Sequence, residues 1–408
     1  MHLRCSEDDC GKLLDLHERA WECPRCRGLL ELVLDRCPLE AATLKRTWLQ
    51  RRSSRDPLDV SGVWRFREFL PDDYAPEAIV TLGEGNVPLL SGPRSAAWAG
   101  LRNLWFQHLG WNPTGCFKDL GMTVGITEAR HQQVKTVACA STGNTAASLA
   151  AYAARAEMAA RVYLPKGGVS PAKLAQSLDH GAEVVEVQGN FDCALRTLLE
   201  ANSPGLYFLN SINPFRIEGQ KTAMFELMEQ MGWSPPDYVV VPGGNLGNTA
   251  AFGKALQEMK TAGLIDKLPK LVVVQAEGAN PFVRTWNTGE ERLVAVAEPR
   301  TAATAICIGK PRSWKKALRA LRFTLGVAID VTDLQIAEAK SVIGGDGIGC
   351  EPASATTLAG LRKLVREGTV DRDASVVAVL TGHLLKDTDY VMNSCRKSSS
   401  GGSSRHGE

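Results

Sequence analysis

The chain has 408 residues, 44% of them hydrophobic and 23% charged, with a formal net charge of +2. That length allows two or three domains with cores of their own, and the near-neutral charge excludes a broad electrostatic footprint for nucleic acid or a membrane surface. No apolar run reaches the roughly eighteen residues of a membrane span, and charges stand where a signal peptide would carry its apolar region.

Residues 1–40 stand apart. Cys5 and Cys10 are followed by Cys23 and Cys26, the second pair within the knuckle CPRCRG. Four thiolates in two pairs suit a tetrahedral, coordinatively closed zinc ribbon, and Lys12–Leu16 and Leu29–Leu34 suit small strands around it. So small a unit would draw most of its stability from the metal, with free thiols as the alternative. His2 and His17 read as surface residues. The other seven of the eleven cysteines are scattered singly, the usage of a reducing compartment, which points to the cytoplasm. Residues 41–79 read as a linker. Within it Lys45–Arg55, KRTWLQRRSSR, is the most basic stretch. It suits a solvated linker helix; a nucleic-acid contact is disfavoured, because the stretch has one aromatic and no basic excess elsewhere supports it.

From about residue 80 apolar, β-branched runs alternate with helical ones. Val134–Ala140 precedes a helix over Asn144–Ala156, Ala160–Pro165 a helix from Ser170, and Glu183–Val187 a helix from Phe191. Tyr207–Asn210 leads to a helix over Phe215–Met231. Tyr238–Val241, Leu271–Ala276, Val327–Val331 and Val376–Leu380 read as buried strands. This alternation predicts an α/β fold with two open, mostly parallel sheets and helices on both faces. The expected division is a large α/β domain from 80–110 and 209–392, a small α/β domain over 111–208, and a disordered Ser/Gly tail over 393–408.

In open α/β sheets ligands bind beyond the carboxyl ends of the strands, so the loops there are the candidates. Asn112–Gly121, NPTGCFKDLG, places Lys118 after a turn and before a helix-capable run. A lone lysine is usually a solvated charge, but a desolvated one can form a Schiff base with a carbonyl cofactor. Ala140–Ser148, ASTGNTAAS, offers a helix N-terminus for an anion, with Ser141, Thr142 and Thr145 for a carboxylate or phosphate and Asn144 for a ring oxygen. Pro242–Asn248, PGGNLGN, is a glycine-rich turn in which the amides of Gly243, Gly244, Asn245, Leu246 and Gly247 can cradle one phosphate. Asn210–Lys221 brings Arg216 as an anion clamp beside Asn210 and Ser211. Leu380–Asp387, LTGHLLKD, offers the Thr381 hydroxyl to a ring nitrogen, while His383 and Lys386 read as structural. An amine, a phosphate cradle and two ring partners are together what pyridoxal phosphate needs.

These stretches resemble the threonine synthase family of pyridoxal-phosphate enzymes, with the tryptophan synthase β-subunit type of fold, from about Thr81 to Asp387. NSINPFRIEGQKT is similar to the segment by which that family contacts a substrate phosphate. The resemblance implies a zinc-ribbon extension in some members and a cofactor in the cleft between the two domains. It implies that Lys118 carries the cofactor, Asn144 meets its ring oxygen, the Gly243–Gly247 amides hold its phosphate and Thr381 meets its ring nitrogen. Thr145, Asn210, Ser211 and Arg216 would hold the substrate phosphate, with Ser141 and Thr142 near its carboxylate. The implied reaction converts O-phospho-L-homoserine and water into L-threonine and phosphate, in a chain expected to be a homodimer. Cys116, Leu120 and Val87 depart from the family's serine, arginine and threonine. Those departures keep two rivals in view, a cysteate synthase-like replacement enzyme and a threonine dehydratase-like one. A nucleic-acid-binding ribbon protein is a more distant alternative.

Overall fold

The computed structural model describes residues 1–35, 39–141, 143–166, 171–189, 191–200 and 205–392. The expected tail at 393–408 and Thr142 lie outside them. Three sheets organise the described residues. The first is antiparallel and three-stranded, in the order Leu13–Leu14, His2–Cys5, Leu30–Val33. The second has four parallel strands in the order Glu183–Val187, Ala159–Pro165, Thr136–Ala140, Leu206–Phe208. The third has six strands, in the order Val327–Val331, Lys270–Ala276, Tyr238–Pro242, Ser375–Leu380, Asn103–His108, Leu89–Ser91, parallel except for the last pair. Central strands such as Tyr238–Pro242 are buried along their whole length, which is why they read as continuous apolar runs rather than alternating ones.

Three strands were not expected from the sequence. Asn103–His108, NLWFQH, carries polar Gln107 and His108, yet both are buried. Gln107 donates to the Ala223 carbonyl at 2.7 Å and His108 Nε2 pairs with the Gly349 carbonyl at 2.8 Å, so tertiary partners compensate a poor strand pattern. Leu89–Ser91 and His2–Cys5 are short strands defined by their neighbours.

The basic stretch is not a solvated linker. Helix Ala41–Arg52 buries Leu44 and Trp48 completely. Trp48 packs on Phe66, Phe225 and Trp233, with ring centroids 5.1, 6.0 and 5.5 Å away. Three basic residues of the stretch are spent on the protein itself, while Arg46 and Arg55 are exposed. Arg51 pairs with Glu68, Arg52 with Glu229, and Lys45 lies over the Trp233 ring.

The helix Pro214–Gln230 is the hub that positions the candidate loops. Asn213 caps it, accepting from the Phe215 and Arg216 amides. It crosses the helix Lys118–His131 at glycines. A Cβ on Gly121 would lie 2.7 Å from the Arg216 carbonyl oxygen, and one on Gly125 would lie 3.3 Å from Arg216 Cγ. The same turn reaches the glycine-rich loop, where a Cβ on Gly247 would sit 3.4 Å from Gln220 Oε1. Small residues at the crossing let Arg216 come alongside Lys118.

The N-terminal sheet is docked on the body. Lys316 on helix Trp314–Phe323 donates to the Leu30 carbonyl at 2.6 Å, and Lys315 and Arg319 on that helix reach Glu7 and the Ser6 carbonyl. His17 is not a simple surface residue. It lies between Asp73 at 2.5 Å and the buried Glu128 at 2.9 Å. Burial alone would lower its pKa, but the two carboxylates win and raise it.

Candidate active site

Lys118 opens the helix Lys118–His131, directly after a loop stitched to the end of the last strand. The Phe117 amide donates to the Thr381 carbonyl at 3.0 Å, the His383 amide to the Gly115 carbonyl at 2.9 Å, and Lys386 Nζ to the Thr114 carbonyl at 3.0 Å. Inside the loop, buried Asp119 accepts from both the amide and the hydroxyl of Thr114 and from Ser148 Oγ. Gly115 adopts φ +83, a conformation that favours glycine. The lysine amine lies 3.9 Å from the centroid of the Phe117 ring. Burial of that amine and then the positive charge of Arg216 lower its pKa from 10.5 to about 8. A neutral amine is thereby accessible near physiological pH, which a Schiff-base lysine requires.

Arg216 is 1% exposed. One guanidinium nitrogen donates to the Leu209 carbonyl at 3.1 Å, while Nε and the other terminal nitrogen are buried with no hydrogen-bond partner. Burial lowers its pKa to about 10. A buried cation with two unsatisfied donors is costly unless an anion completes it. Among the described residues this is the strongest sign of a phosphate or carboxylate site.

Asn144 and Thr381 are brought together by a residue the sequence reading missed. Glu351, 4% exposed, accepts from Asn144 Nδ2 at 3.0 Å and from Thr381 Oγ1 at 2.9 Å. Burial raises its pKa, against the opposing hydrogen bonds from Asn144 and Thr381 and the charge of Lys118. Gly382 leaves the carboxylate its place, since a Cβ there would fall 2.5 to 2.7 Å from the carboxylate atoms and push Glu351 aside.

The glycine-rich turn follows the strand Tyr238–Pro242 and opens the helix Gly247–Thr261. Contrary to expectation, the Gly243 amide donates to the Val274 carbonyl at 2.7 Å, so it is spent on the sheet, and the amides able to face an anion begin at Gly244. Leu246 takes φ +63, a costly conformation for a branched residue that turns the chain into the helix. Asn245 braces the turn, accepting from the Arg312 amide on Oδ1 and from the Ser313 amide on its carbonyl, each at 3.3 Å. Close by in the sequence, the Thr249 hydroxyl and Asn248 Oδ1 are buried without partners. Neither was anticipated. Of the two, the Thr249 hydroxyl can donate, and an orphaned donor on the first turn of a helix that follows a glycine-rich loop fits a phosphate.

The remaining candidates are placed as follows. Asn210 spends both amide atoms on Ala140, accepting from its N–H at 2.9 Å and donating to its carbonyl at 2.8 Å. It thus ties the Arg216 loop to the Asn144 loop. Ser141 Oγ accepts from the Gly143 amide at 3.3 Å, and Ser141, Thr145 and Ser211 are all half-buried. Cys116, Leu120 and Val87 are buried, and Leu120 and Val87 belong to the main hydrophobic core.

In the N-terminal unit, the sulfurs of Cys5, Cys10, Cys23 and Cys26 lie within 4.8 Å of one another. Cys5 and Cys26 are 3.4 Å apart and Cys10 and Cys23 3.7 Å. Around a tetrahedral ion with bonds of about 2.3 Å the sulfurs would be roughly 3.8 Å apart.

Comparison with known proteins identifies the family. Residues 80–382 match the family described as pyridoxal-phosphate dependent enzyme. The chain is 44% identical to a threonine synthase of Methanosarcina acetivorans over 400 residues, 97% of this chain and 95% of that protein. It is 43% identical to a threonine synthase of Mycobacterium leprae over 332 residues, 80% of this chain and 89% of that one. Among solved structures, a fungal L-serine ammonia-lyase from Rhizomucor miehei superposes with a TM-score of 0.67 at 20% identity, over 77% of this chain and 98% of that one. Maize serine racemase superposes with a TM-score of 0.65 at 20% identity, over 78% and 93%. At that identity the two structures speak for the fold alone.

Proposed function

The chain belongs to the pyridoxal-phosphate dependent enzyme family and to the threonine synthases within it, and from that premise we propose how its own residues act on O-phospho-L-homoserine. The observation that carries the reading is Arg216, a buried guanidinium with two unpartnered nitrogens beside the Lys118 amine. An anionic substrate group would satisfy both donors and bring the reacting carbons to the lysine.

When bound, pyridoxal phosphate supplies an electron sink at the substrate α-carbon. Lys118 would hold it through its amine, Asn144 would meet the ring oxygen and Thr381 the ring nitrogen. The amides of Gly244, Asn245, Leu246 and Gly247, with the Thr249 hydroxyl, would hold its phosphate. Lys118, displaced by the substrate amine, would take the α-proton and later return it, its lowered pKa matching both tasks. Arg216 would hold the γ-phosphate with Thr145 and Ser211, so that loss of a β-proton expels phosphate from a fixed position, after which the γ-carbon takes up a proton and water adds its hydroxyl at the β-carbon. Ser141 and Thr142 would face the substrate carboxylate. Asn210 would act mainly by fixing the Arg216 loop against Ala140.

The four cysteines would hold a structural zinc ion in a ribbon. A site closed by four sulfurs has no open position for substrate, so the metal would take no part in the reaction. Scattered cysteine usage supports a cytoplasmic location, and a homodimer belongs to the same reading.

Purified wild type should carry the cofactor's visible absorption and release phosphate from O-phospho-L-homoserine, and Lys118→Ala should lose both. A Lys118→Ala protein that keeps full phosphate release would overturn the reading. O-phosphoserine with sulfite, offered as the alternative substrate pair, separates the threonine synthase reaction from a cysteate synthase-like one.

A further inference from the structure

The hydrogen bonds around Thr381 have a fixed direction. Ser354 Oγ accepts from the Thr381 amide at 2.8 Å and from the Gly382 amide at 3.2 Å. Both lone pairs of that hydroxyl are then filled, and its proton is directed to Thr381 Oγ1, 3.1 Å away. Thr381 in turn donates its single proton to Glu351 Oε1 at 2.9 Å. One lone pair is left on Thr381, so with an ionised Glu351 the threonine can only accept. Put a proton on Glu351 Oε1 and the pattern inverts. Glu351 then donates to Thr381, both threonine lone pairs are filled, and the hydroxyl can only donate.

A ring nitrogen is the complementary partner of each state. Protonated, it needs an acceptor; unprotonated, it needs a donor. We propose that Glu351 is a positioning residue that sets the protonation of the cofactor's ring nitrogen through Thr381, one proton being shared between the carboxyl and the ring. The exchange balances without any other reactant. The carboxyl O–H bond breaks as its proton passes to Thr381 Oγ1, and the Thr381 proton passes to the nitrogen. It rests on the assignment of Thr381 as the nitrogen's partner.

The geometry around Glu351 supports a movable proton. Asn144, a neutral amide, holds the second oxygen, and the charges that act on the carboxyl are Lys118 and Lys386. The neighbouring thiols Cys116 and Cys350 are pushed up to about 12 by burial and stay neutral. Burial outweighs two hydrogen bonds and the lysines and raises the pKa of the carboxyl, which favours a carboxyl able to carry the proton. The consequence for the reaction is direct, because a protonated ring nitrogen makes a stronger electron sink than an unprotonated one.

The test uses the holoenzyme loaded with pyridoxal phosphate labelled with ¹⁵N in the ring. In Glu351→Gln the amide oxygen faces Asn144 and the NH2 donates to Thr381, which locks the threonine as a donor. The nitrogen signal should then hold the unprotonated position at every pH, whereas the wild-type signal should lie toward the protonated position wherever the shared proton is bound. A Glu351→Gln signal that tracks wild type throughout the titration overturns the proposal. Thr381→Ala separates the two levels: if it too leaves the signal unchanged, Thr381 is not the nitrogen's partner and the underlying assignment fails. If Glu351→Gln folds without retaining cofactor, Ser354→Ala replaces it. That variant frees a lone pair on Thr381 in either state of Glu351, so the signal should shift toward the protonated form, and no shift contradicts the proposal.

Discussion

Gly219 packs so tightly beneath Leu120 that a Cβ on the glycine would lie 1.8 Å from the Leu120 carbonyl oxygen. The contact fixes the crossing of the two helices that carry Arg216 and Lys118. Gly219→Ala cannot be absorbed by a rotamer change, because the obstacle is backbone. The helices must part, at a cost of about 1–3 kcal/mol. Thermal denaturation should show the loss of stability. Steady-state kinetics should show a higher KM for the phosphorylated substrate, since Arg216 moves with its helix.

Cofactor capture should report the lowered pKa of Lys118. Only the neutral amine attacks a carbonyl, so the rate at which cofactor-free protein takes up pyridoxal phosphate should rise with pH and level off above about 8, not above 10.5. Arg216→Leu removes the second cause of the shift and should move that midpoint upward. Stopped-flow absorbance across the pH range measures both.

His17 should make the docking of the N-terminal sheet pH-dependent. Its folded pKa is raised above 6.5 by Asp73 and Glu128. The stabilisation is therefore complete below the unfolded pKa and is lost as pH rises through the folded one. The difference in melting temperature between wild type and His17→Gln should be largest in mildly acidic buffer and shrink in alkaline buffer. A difference that grows with pH would contradict the assignment.

Metal analysis should find one zinc ion per chain, lost in Cys23→Ser. Removing it should lower the melting temperature, because two-residue and four-residue strands cannot bury enough surface alone. Cofactor absorption measured on the stripped protein distinguishes a structural metal from one the reaction needs.

Much of the site was legible in the sequence because loops at strand ends carry their chemistry in short, dense motifs. Lys118, Asn144, Arg216 and Thr381 each stood within such a run. Glu351 did not. A single carboxylate before Pro352 reads as an ordinary helix start, and only the fold shows it between Asn144 and Thr381, 207 and 30 residues away. The role of Gly243 was misassigned for a related reason, since a glycine's amide can serve the sheet or a ligand and composition does not say which. The strand Asn103–His108 was hidden by Gln107 and His108, polar residues whose burial depends on partners more than a hundred positions off. The helix Ala41–Arg52 was read as solvated because its basic face dominates the composition, while Trp48 and Leu44 fix its other face in the core.

Lys118 and Arg216 together should process a phosphorylated four-carbon amino acid, and incubating the holoenzyme with O-phospho-L-homoserine while following both products is the decisive measurement. L-Threonine and phosphate should form in equal amounts, with Arg216→Leu losing at least tenfold in kcat/KM, roughly the 1.4 kcal/mol expected at minimum for a charge-assisted contact. Phosphate released without threonine, or Arg216→Leu matching wild type on this substrate, would contradict it.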